Sequence, residues 1–282
     1  MAFNFAKAEQ LVADKKGQSK PLAAVVLGPS SSGKSGLMGT FGVPTLYLHT
    51  AGEEHGPDSA KERGGDIFDI EFDRDIETGA LLGPDAAYKQ LLEILRSHDW
   101  IKQKGFGAIA LDGLTELEFL VRGTGAFKSL CLTKEGTHNG FAEGAAALTM
   151  LRPIMDALRN AQREFNLHYI VSCLLDVKKL GSEGEIEQSE PTLLGYKLAA
   201  TLLPQFPDQL VIGRMINPQT GEMLHRLQFS AGISKAQLDM KTKEVKKFIN
   251  FTPRVRNVAS ESLPDHMKAD LRAVLKLKTG DK

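Results

Sequence analysis

Apolar residues along this chain fall into short, dense runs separated by glycine-rich and charged stretches. Leu22-Ala-Ala-Val-Val-Leu27 is apolar at every position, the signature of a strand buried on both faces. Thr45-Leu-Tyr-Leu-His49 and Gly105-Phe-Gly-Ala-Ile-Ala-Leu-Asp112 predict two more such strands, and Leu167-His-Tyr-Ile-Val-Ser-Cys173 a fourth. Asp66-Ile-Phe-Asp-Ile-Glu-Phe72 alternates instead, as a half-buried strand does. Helical spacing predicts helices over Ala86 to Arg96, with Leu91, Leu92 and Leu95 on one face, and through Leu148, Leu151, Met155 and Leu158 to about Asn166. Helices are also expected over Thr192 to Leu203 and around Leu271, Val274 and Leu275. Gln209 to Met215 and Met223 to Phe229 flank Asn217-Pro-Gln-Thr-Gly221, which predicts an antiparallel hairpin; Phe248 to Arg254 predicts a further strand. Strands alternating with helices indicate an α/β fold.

Three stretches lack periodicity. Ala2 to Gln18 predicts a short helix in a solvated extension; Arg122 to Gly144 and Asp176 to Pro191 predict long polar loops. Gly36, Gly39 and Gly42 leave room for only a brief helix before Pro44. The domain reading is an extension over 1–20, a core over 21–260, and a C-terminal helix and tail over 261–282.

The first buried strand runs directly into Gly28-Pro29-Ser30-Ser31-Ser32-Gly33-Lys34-Ser35, which fits G-x-x-x-x-G-K-[ST]. Glycines there let successive backbone N–H groups turn inward on the phosphates of a nucleotide such as ATP. Lys34 is placed to reach the β- and γ-phosphates, and the Ser35 hydroxyl to ligate Mg2+. Asp112, closing the third buried strand, is the matching acid for the magnesium shell; a helix-capping Asp is the plainer alternative. A general base for water is sought at Glu53, after the second strand, or at Glu116, one turn beyond Asp112. Ser172, read as ending the fourth strand, is a candidate contact for the γ-phosphate or the attacking water, or simply a packed polar residue. Arg254 and Arg256, two apart, would share a face of a strand and suit a phosphate reached across a subunit boundary, or form a solvated basic edge.

Charge changes the picture little: 35 Lys and Arg balance 35 Asp and Glu, so nucleic-acid binding would need a local patch. Lys102, Lys104, Arg122 and Lys128 lie near Phe106, Phe127 and Phe141, an interleaving that can bind single strands but has no periodicity here. Two distant cysteines, histidines without ligand spacing, and no signal-like or membrane-length apolar run point to a reducing cytoplasm and no membrane partner.

Taken with Leu111-Asp-Gly-Leu-Thr-Glu-Leu117, Val171-Ser-Cys173, Pro191-Thr-Leu-Leu-Gly195 and Phe206-Pro-Asp208, the phosphate loop resembles the phage-encoded RecA-like nucleotide-binding proteins, over roughly residues 21 to 275. The resemblance implies a RecA-like P-loop fold with a central, mostly parallel sheet, helices on both of its faces, and magnesium-ATP as cofactor. It also implies self-association into a ring or filament, and single-stranded DNA as partner in phage recombination, repair or replication. In that family a C-terminal Lys-x-Arg pair is thought to reach a neighbour's nucleotide, and Arg254-Val-Arg256 occupies the similar place. Two departures matter: the family's acid at the end of the second strand is replaced by Thr50-Ala51-Gly52, with Glu53 displaced, which implies slow or differently catalysed hydrolysis, and the Arg122 to Gly144 stretch is longer than a minimal core requires. The readings carried forward are a DNA-acting ATPase in the host cytoplasm, an ATP-gated assembly module with little hydrolysis, and a P-loop small-molecule kinase.

Overall fold

The computed structural model describes residues 21–180, 186–217, 219–229, 234–238, 245–250, 253–259, 262–264 and 266–279. The N-terminal stretch expected to form a helix lies outside them. Strands β1 (Ala23–Gly28), β2 (Thr45–His49), β3 (Ile67–Glu71), β4 (Ala108–Leu111), β5 (His168–Leu180), β7 (Asp208–Ile216), β8 (Met223–Gln228) and β11 (His266–Lys268) form one sheet. Their order is β11-β8-β7-β1-β5-β4-β2-β3, and β6 (Ile186–Pro191) pairs with β5 off that path. Pairing is parallel from β3 to β7 and antiparallel at β7–β8 and β8–β11. A separate antiparallel pair joins β9 (Ser234–Leu238) to β10 (Val245–Asn250). The architecture is mixed α/β.

Alternation within the buried strands feeds two cores. Ala23, Val25 and Leu27 of β1 join one apolar cluster, and Ala24 and Val26 join the other. Helices α3 (Pro84–Arg96), α5 (Leu114–Gly123) and α7 (Glu143–Phe165) cover the first through Leu91, Leu117 and Ile154. Helices α1 (Lys34–Met38), α2 (Gly56–Glu62) and α9 (Leu271–Thr279) cover the second through Leu37, Ala60 and Val274. The remaining helices are α4 (His98–Lys104), α6 (Gly125–Leu130) and α8 (Gly195–Leu202). No helix among the described residues is long and apolar enough to cross a membrane.

Two expected loops are structured. The stretch 122–144 contains α6, capped by Thr124, whose Oγ1 accepts from the Phe127 N–H at 3.1 Å, and it ends in the first turn of α7. Phe127 and Cys131 are buried beneath it, so the element is held by a cap and two anchors rather than by a periodic face. In the stretch 176–191, residues 176–180 and 186–191 are strand rather than loop: β5 continues to Leu180 and pairs with β6 from Leu175↔Pro191 to Leu180↔Ile186. A ladder closed by backbone hydrogen bonds needs no apolar alternation, so hydropathy alone does not reveal it. Helices α2 and α4, in polar sequence, escape the periodicity search for a similar reason.

At the edge of the sheet where β1 and β7 begin, Asp208 is fully buried and ties three elements together. Its Oδ2 accepts from the Ala23 N–H and from Lys278 Nζ of α9, each at 2.8 Å, and its Oδ1 from the Arg256 N–H at 2.7 Å. Burial pushes the Lys278 pKa down, against the opposing pull of the Asp208 carboxylate. Nearby, the Leu22 N–H donates to His168 Nδ1 at 2.9 Å, and burial and Lys278 lower that ring's pKa to about 4. The imidazole therefore stays neutral with its proton on Nε2.

Breaking a buried ion pair from one side leaves an uncompensated charge and costs about 3–5 kcal/mol. Lys278→Met is therefore expected to destabilise the protein by that amount, read as a lower urea midpoint at unchanged slope. Stability close to that of the wild type would show that Asp208 is satisfied by its two backbone donors alone.

Candidate nucleotide site

β1 ends at Gly28, where a side chain is impossible: an added Cβ would lie 2.4 Å from Ser32 Oγ and 2.6 Å from the Ile212 carbonyl. The loop then turns back through Ser31 (φ 56°) and Gly33 (φ 93°), both left-handed, into α1. Positive φ in a non-glycine residue is a costly conformation that clusters at ligand-binding turns. It persists here because the β7–β8 pair holds the loop from the side. Arg214 Nε donates to the Ser31 carbonyl at 2.6 Å, and His225 Nδ1 donates to the Ser32 carbonyl at 2.6 Å. The His225 ring lies so close to Gly33 that a Cβ there would meet Nδ1 at 2.6 Å, so position 33 requires glycine on two counts.

Lys34 Nζ donates to the carbonyls of Gly28, at 2.9 Å, and Pro29, at 2.8 Å. Burial lowers its pKa, with Asp112 and then Glu53 pulling the other way. Asp112 follows β4, and β5 separates that strand from β1, so the acid faces the loop across Ser172. The carboxylate is 2% exposed; the Tyr47 hydroxyl donates to Oδ2 and the Ser172 hydroxyl to Oδ1. Ser172 Oγ also accepts from the Gly113 N–H at 2.7 Å. Burial, and then the Asp112 charge, push the Tyr47 pKa far up, so this phenol remains a donor. Ser35 lines the same cleft as this carboxylate, near enough to the Tyr47 hydroxyl to oppose its upward shift. Ser172 lies within β5, not at its end as expected, because the strand runs eight residues further.

Glu53 closes a 3-10 turn, Ala51–Glu53, that brings it back over the sheet. A Cβ at Gly113 would lie 3.6 Å from Glu53 Cγ and 3.4 Å from Glu116 Cβ, so the two acids flank one point beside Asp112. Burial raises the Glu53 pKa, and Asp112 and Glu116 raise it further, with Lys34 opposing.

Ser30 to Ser35, Glu53, Asp112, Glu116 and Ser172 thus line one cleft of about 560 Å³; Gly28 and Pro29 are not in its lining, and their carbonyls accept from Lys34 Nζ. The cleft also contains Ser59, Glu62, Arg63, Thr115 and His225, none singled out by the sequence. Tyr47 was missed too; a polar-tipped aromatic inside an otherwise apolar strand was its only signal. A larger cavity of about 710 Å³ lies at the free edge of β3, among Phe68, Ile94 and Trp100. Its arginine, Arg74, is paired with Glu71, and it has none of the loop chemistry.

Arg254 and Arg256 are not in the cleft. They lie at the opposite end of β1, about 20 Å away by the rise of a six-residue strand. There Arg254 donates to the Phe206 carbonyl at 3.2 Å, and Arg256 to the Pro21 carbonyl at 3.0 Å. Within this chain both guanidiniums tie down backbone. The proposed basic and aromatic interleaving disperses as well: Phe127 is buried, Phe106 packs on Trp100, and Arg122 lies over Phe119 and beside Glu118.

No protein-family model matches the chain, and no curated protein matches it in sequence. Among solved structures it is similar to the flagellar accessory protein FlaH from Methanocaldococcus jannaschii, at 10% identity and a TM-score of 0.33. The likeness covers 77% of this chain and 82% of that one.

The crowding of acids has a measurable sign. A carboxyl whose folded pKa is raised destabilises the fold when ionised; the penalty is absent below the ordinary value of 4.5 and grows as pH rises through the folded value. Glu53→Gln is therefore expected to raise the thermal midpoint of the nucleotide-free protein at pH 8 and to leave it unchanged at pH 4. A gain of equal size at both pH values would rule out charge repulsion as its cause.

Proposed function

We propose that this protein is a magnesium-dependent, RecA-like ATPase. The observation that carries the reading is the convergence of Lys34, Asp112 and Glu53 on one cleft at the carboxyl ends of β1, β4 and β2. Phosphoryl transfer to water needs positioning and charge stabilisation more than covalent chemistry, and these residues supply both.

The loop N–H groups cradle the phosphates while Lys34 leaves the Gly28 and Pro29 carbonyls for the β- and γ-phosphate oxygens. The Ser35 hydroxyl and Asp112 would hold the cation. Among the described residues no group of three or more His, Cys, Asp or Glu side chains makes a metal site by itself. One buried carboxylate and a neighbouring hydroxyl suit an ion that completes its shell with water and phosphate oxygens. A cation held by these two residues would supply charge neutralisation at the phosphate oxygens. Glu53, its pKa raised toward the working range, takes a proton from the attacking water as the water oxygen bonds to the γ-phosphorus. The bond to the bridging oxygen breaks, leaving ADP and phosphate. Glu116, across Gly113, is placed to hold the same water. The acid displaced from the end of β2 is thus returned to the site by one 3-10 turn.

Single-stranded DNA as partner, and a ring or filament as the working form, belong to this proposal through the sequence resemblance. They are tested by particle size and ATP turnover, each with and without single-stranded DNA.

Lys34→Ala is expected to weaken ATP binding by at least about a hundredfold, in line with the loss of a preorganised charged donor. Glu53→Gln should keep ATP binding and lower turnover by about 10²- to 10⁴-fold, the range of a general base. Titration calorimetry and a phosphate-release assay read the two effects separately. ATP bound with no turnover, by the wild type as by Glu53→Gln, would identify a nucleotide-gated module; no ATP binding by the wild type would overturn the proposal.

A further inference from the structure

The cleft contains a cation that the motif does not account for. Arg63 caps the C-terminus of α2 and lines the cleft beside Lys34, Ser35 and Gly36. It arrives there because α1 and α2 pack through glycine. A Cβ at Gly39 would lie 2.0 Å from the Ala60 carbonyl oxygen, and one at Gly65 would lie 2.8 Å from Gly39 Cα. Neither position can carry a side chain, so the backbones of the two helices are in direct contact. One turn earlier, Gly36 gives the stem of Arg63 its bed: a Cβ at Gly36 would touch Arg63 Cγ at 3.4 Å and Nε at 3.7 Å. The short, glycine-rich helix after the phosphate loop therefore seats an arginine against the first turn of that helix.

Other cations around the loop and its strand are engaged with protein groups. Lys34 is on the Gly28 and Pro29 carbonyls, Arg214 on the Ser31 carbonyl, and Arg254 and Arg256 on backbone at the far end of β1. The Arg63 guanidinium has no hydrogen bond or ion pair among the described residues, and the residue is exposed and lines the cleft. The charge balance of the lining gives it a task. Glu53, Glu62, Asp112 and Glu116 bring four carboxylates to the cleft, against the two cations Lys34 and Arg63. Without Arg63 the loop lysine would be the only lysine or arginine in the lining to set against four acids where a polyphosphate is proposed to bind. A planar fork that binds two oxygens at once suits a terminal phosphate better than a point charge does.

We propose that Arg63 is the guanidinium that contacts the terminal phosphate of the bound nucleoside triphosphate, supplied by the same chain as the phosphate loop. The inference rests on the ATPase reading and deepens it: the role sought at Arg254 and Arg256 across a subunit boundary is filled in cis. It follows that charge stabilisation at the γ-phosphate does not depend on assembly.

The test compares ATP and ADP binding by calorimetry, and phosphate release, for the wild type, Arg63→Ala and Arg63→Lys in the full chain. Arg63→Ala is expected to weaken ATP at least about tenfold while changing ADP less than about threefold, and to lower turnover by about 10³-fold, the low end for an arginine of this kind. Arg63→Lys should restore part of the ATP affinity and less of the turnover, since it keeps the charge and loses the fork. An exposed residue permits the apo thermal midpoint to stay at the wild-type value, which separates this effect from unfolding. Equal weakening of ATP and ADP, or turnover within about threefold of wild type, would overturn the inference while leaving the ATPase reading intact. Wild-type protein that binds neither nucleotide would overturn both. If the wild type binds ATP without hydrolysing it, the ATP-to-ADP affinity ratio of Arg63→Ala decides alone.

Discussion

A buried carboxylate at the end of β4 sets the terms for the rest of the site. An ionised acid removed from water is tolerated only when its oxygens are met by donors. Asp112 finds them on both neighbouring strands: the Tyr47 hydroxyl from β2 and the Ser172 hydroxyl from β5. Because Ser172 also receives the Gly113 N–H, the chain direction leaving β4 is fixed by the same atoms. That direction starts α5 at Leu114 and puts Glu116 and Thr115 on the cleft wall. Thr115 in turn donates to the Thr192 carbonyl at 3.0 Å, joining the cleft wall to the segment that follows β6.

The opposite end of the sheet repeats the solution with different partners. Asp208 uses two backbone N–H groups and the Lys278 ammonium, and so fastens the C-terminal helix to the start of β1. The strand that carries the phosphate loop is thereby held at its beginning by an ion pair, while the loop at its end rests on Arg214 and His225. A rigid strand between two fixed ends suits a loop that must keep its N–H groups aimed at one point.

What the sequence makes legible here is what burial or a covalent pattern enforces. The apolar runs fix four parallel strands, the phosphate loop declares itself by spacing, and Asp112 follows from its place at a strand end. Glu53 and Glu116 are found because acids near such an aspartate are few. Contacts made through glycine leave no such trace: Gly36, Gly39 and Gly65 seat Arg63, yet in sequence they suggest only a break. Tyr47 is hidden because its ring satisfies the apolar pattern while its hydroxyl does the site's work. Arg254 and Arg256 illustrate the converse, since two arginines near a C-terminus look alike in sequence whether or not they also bind backbone carbonyls of their own chain, as these do. The polar strands β5–β6 and helix α6 depend on backbone ladders and caps, which hydropathy does not encode.

The ammonium of Lys34 rests on the Gly28 and Pro29 carbonyls, and this bears on the entropy of binding. A free lysine loses about 1.5–2 kcal/mol of rotamer freedom when it is pinned. Here the stem is already ordered by its own loop, so much of that loss belongs to folding rather than to the nucleotide capture proposed for it. In the proposed function, binding is then an exchange of oxygen partners around one nitrogen. Two neutral carbonyls give way to charged phosphate oxygens, and selectivity for the anion follows from the difference between them.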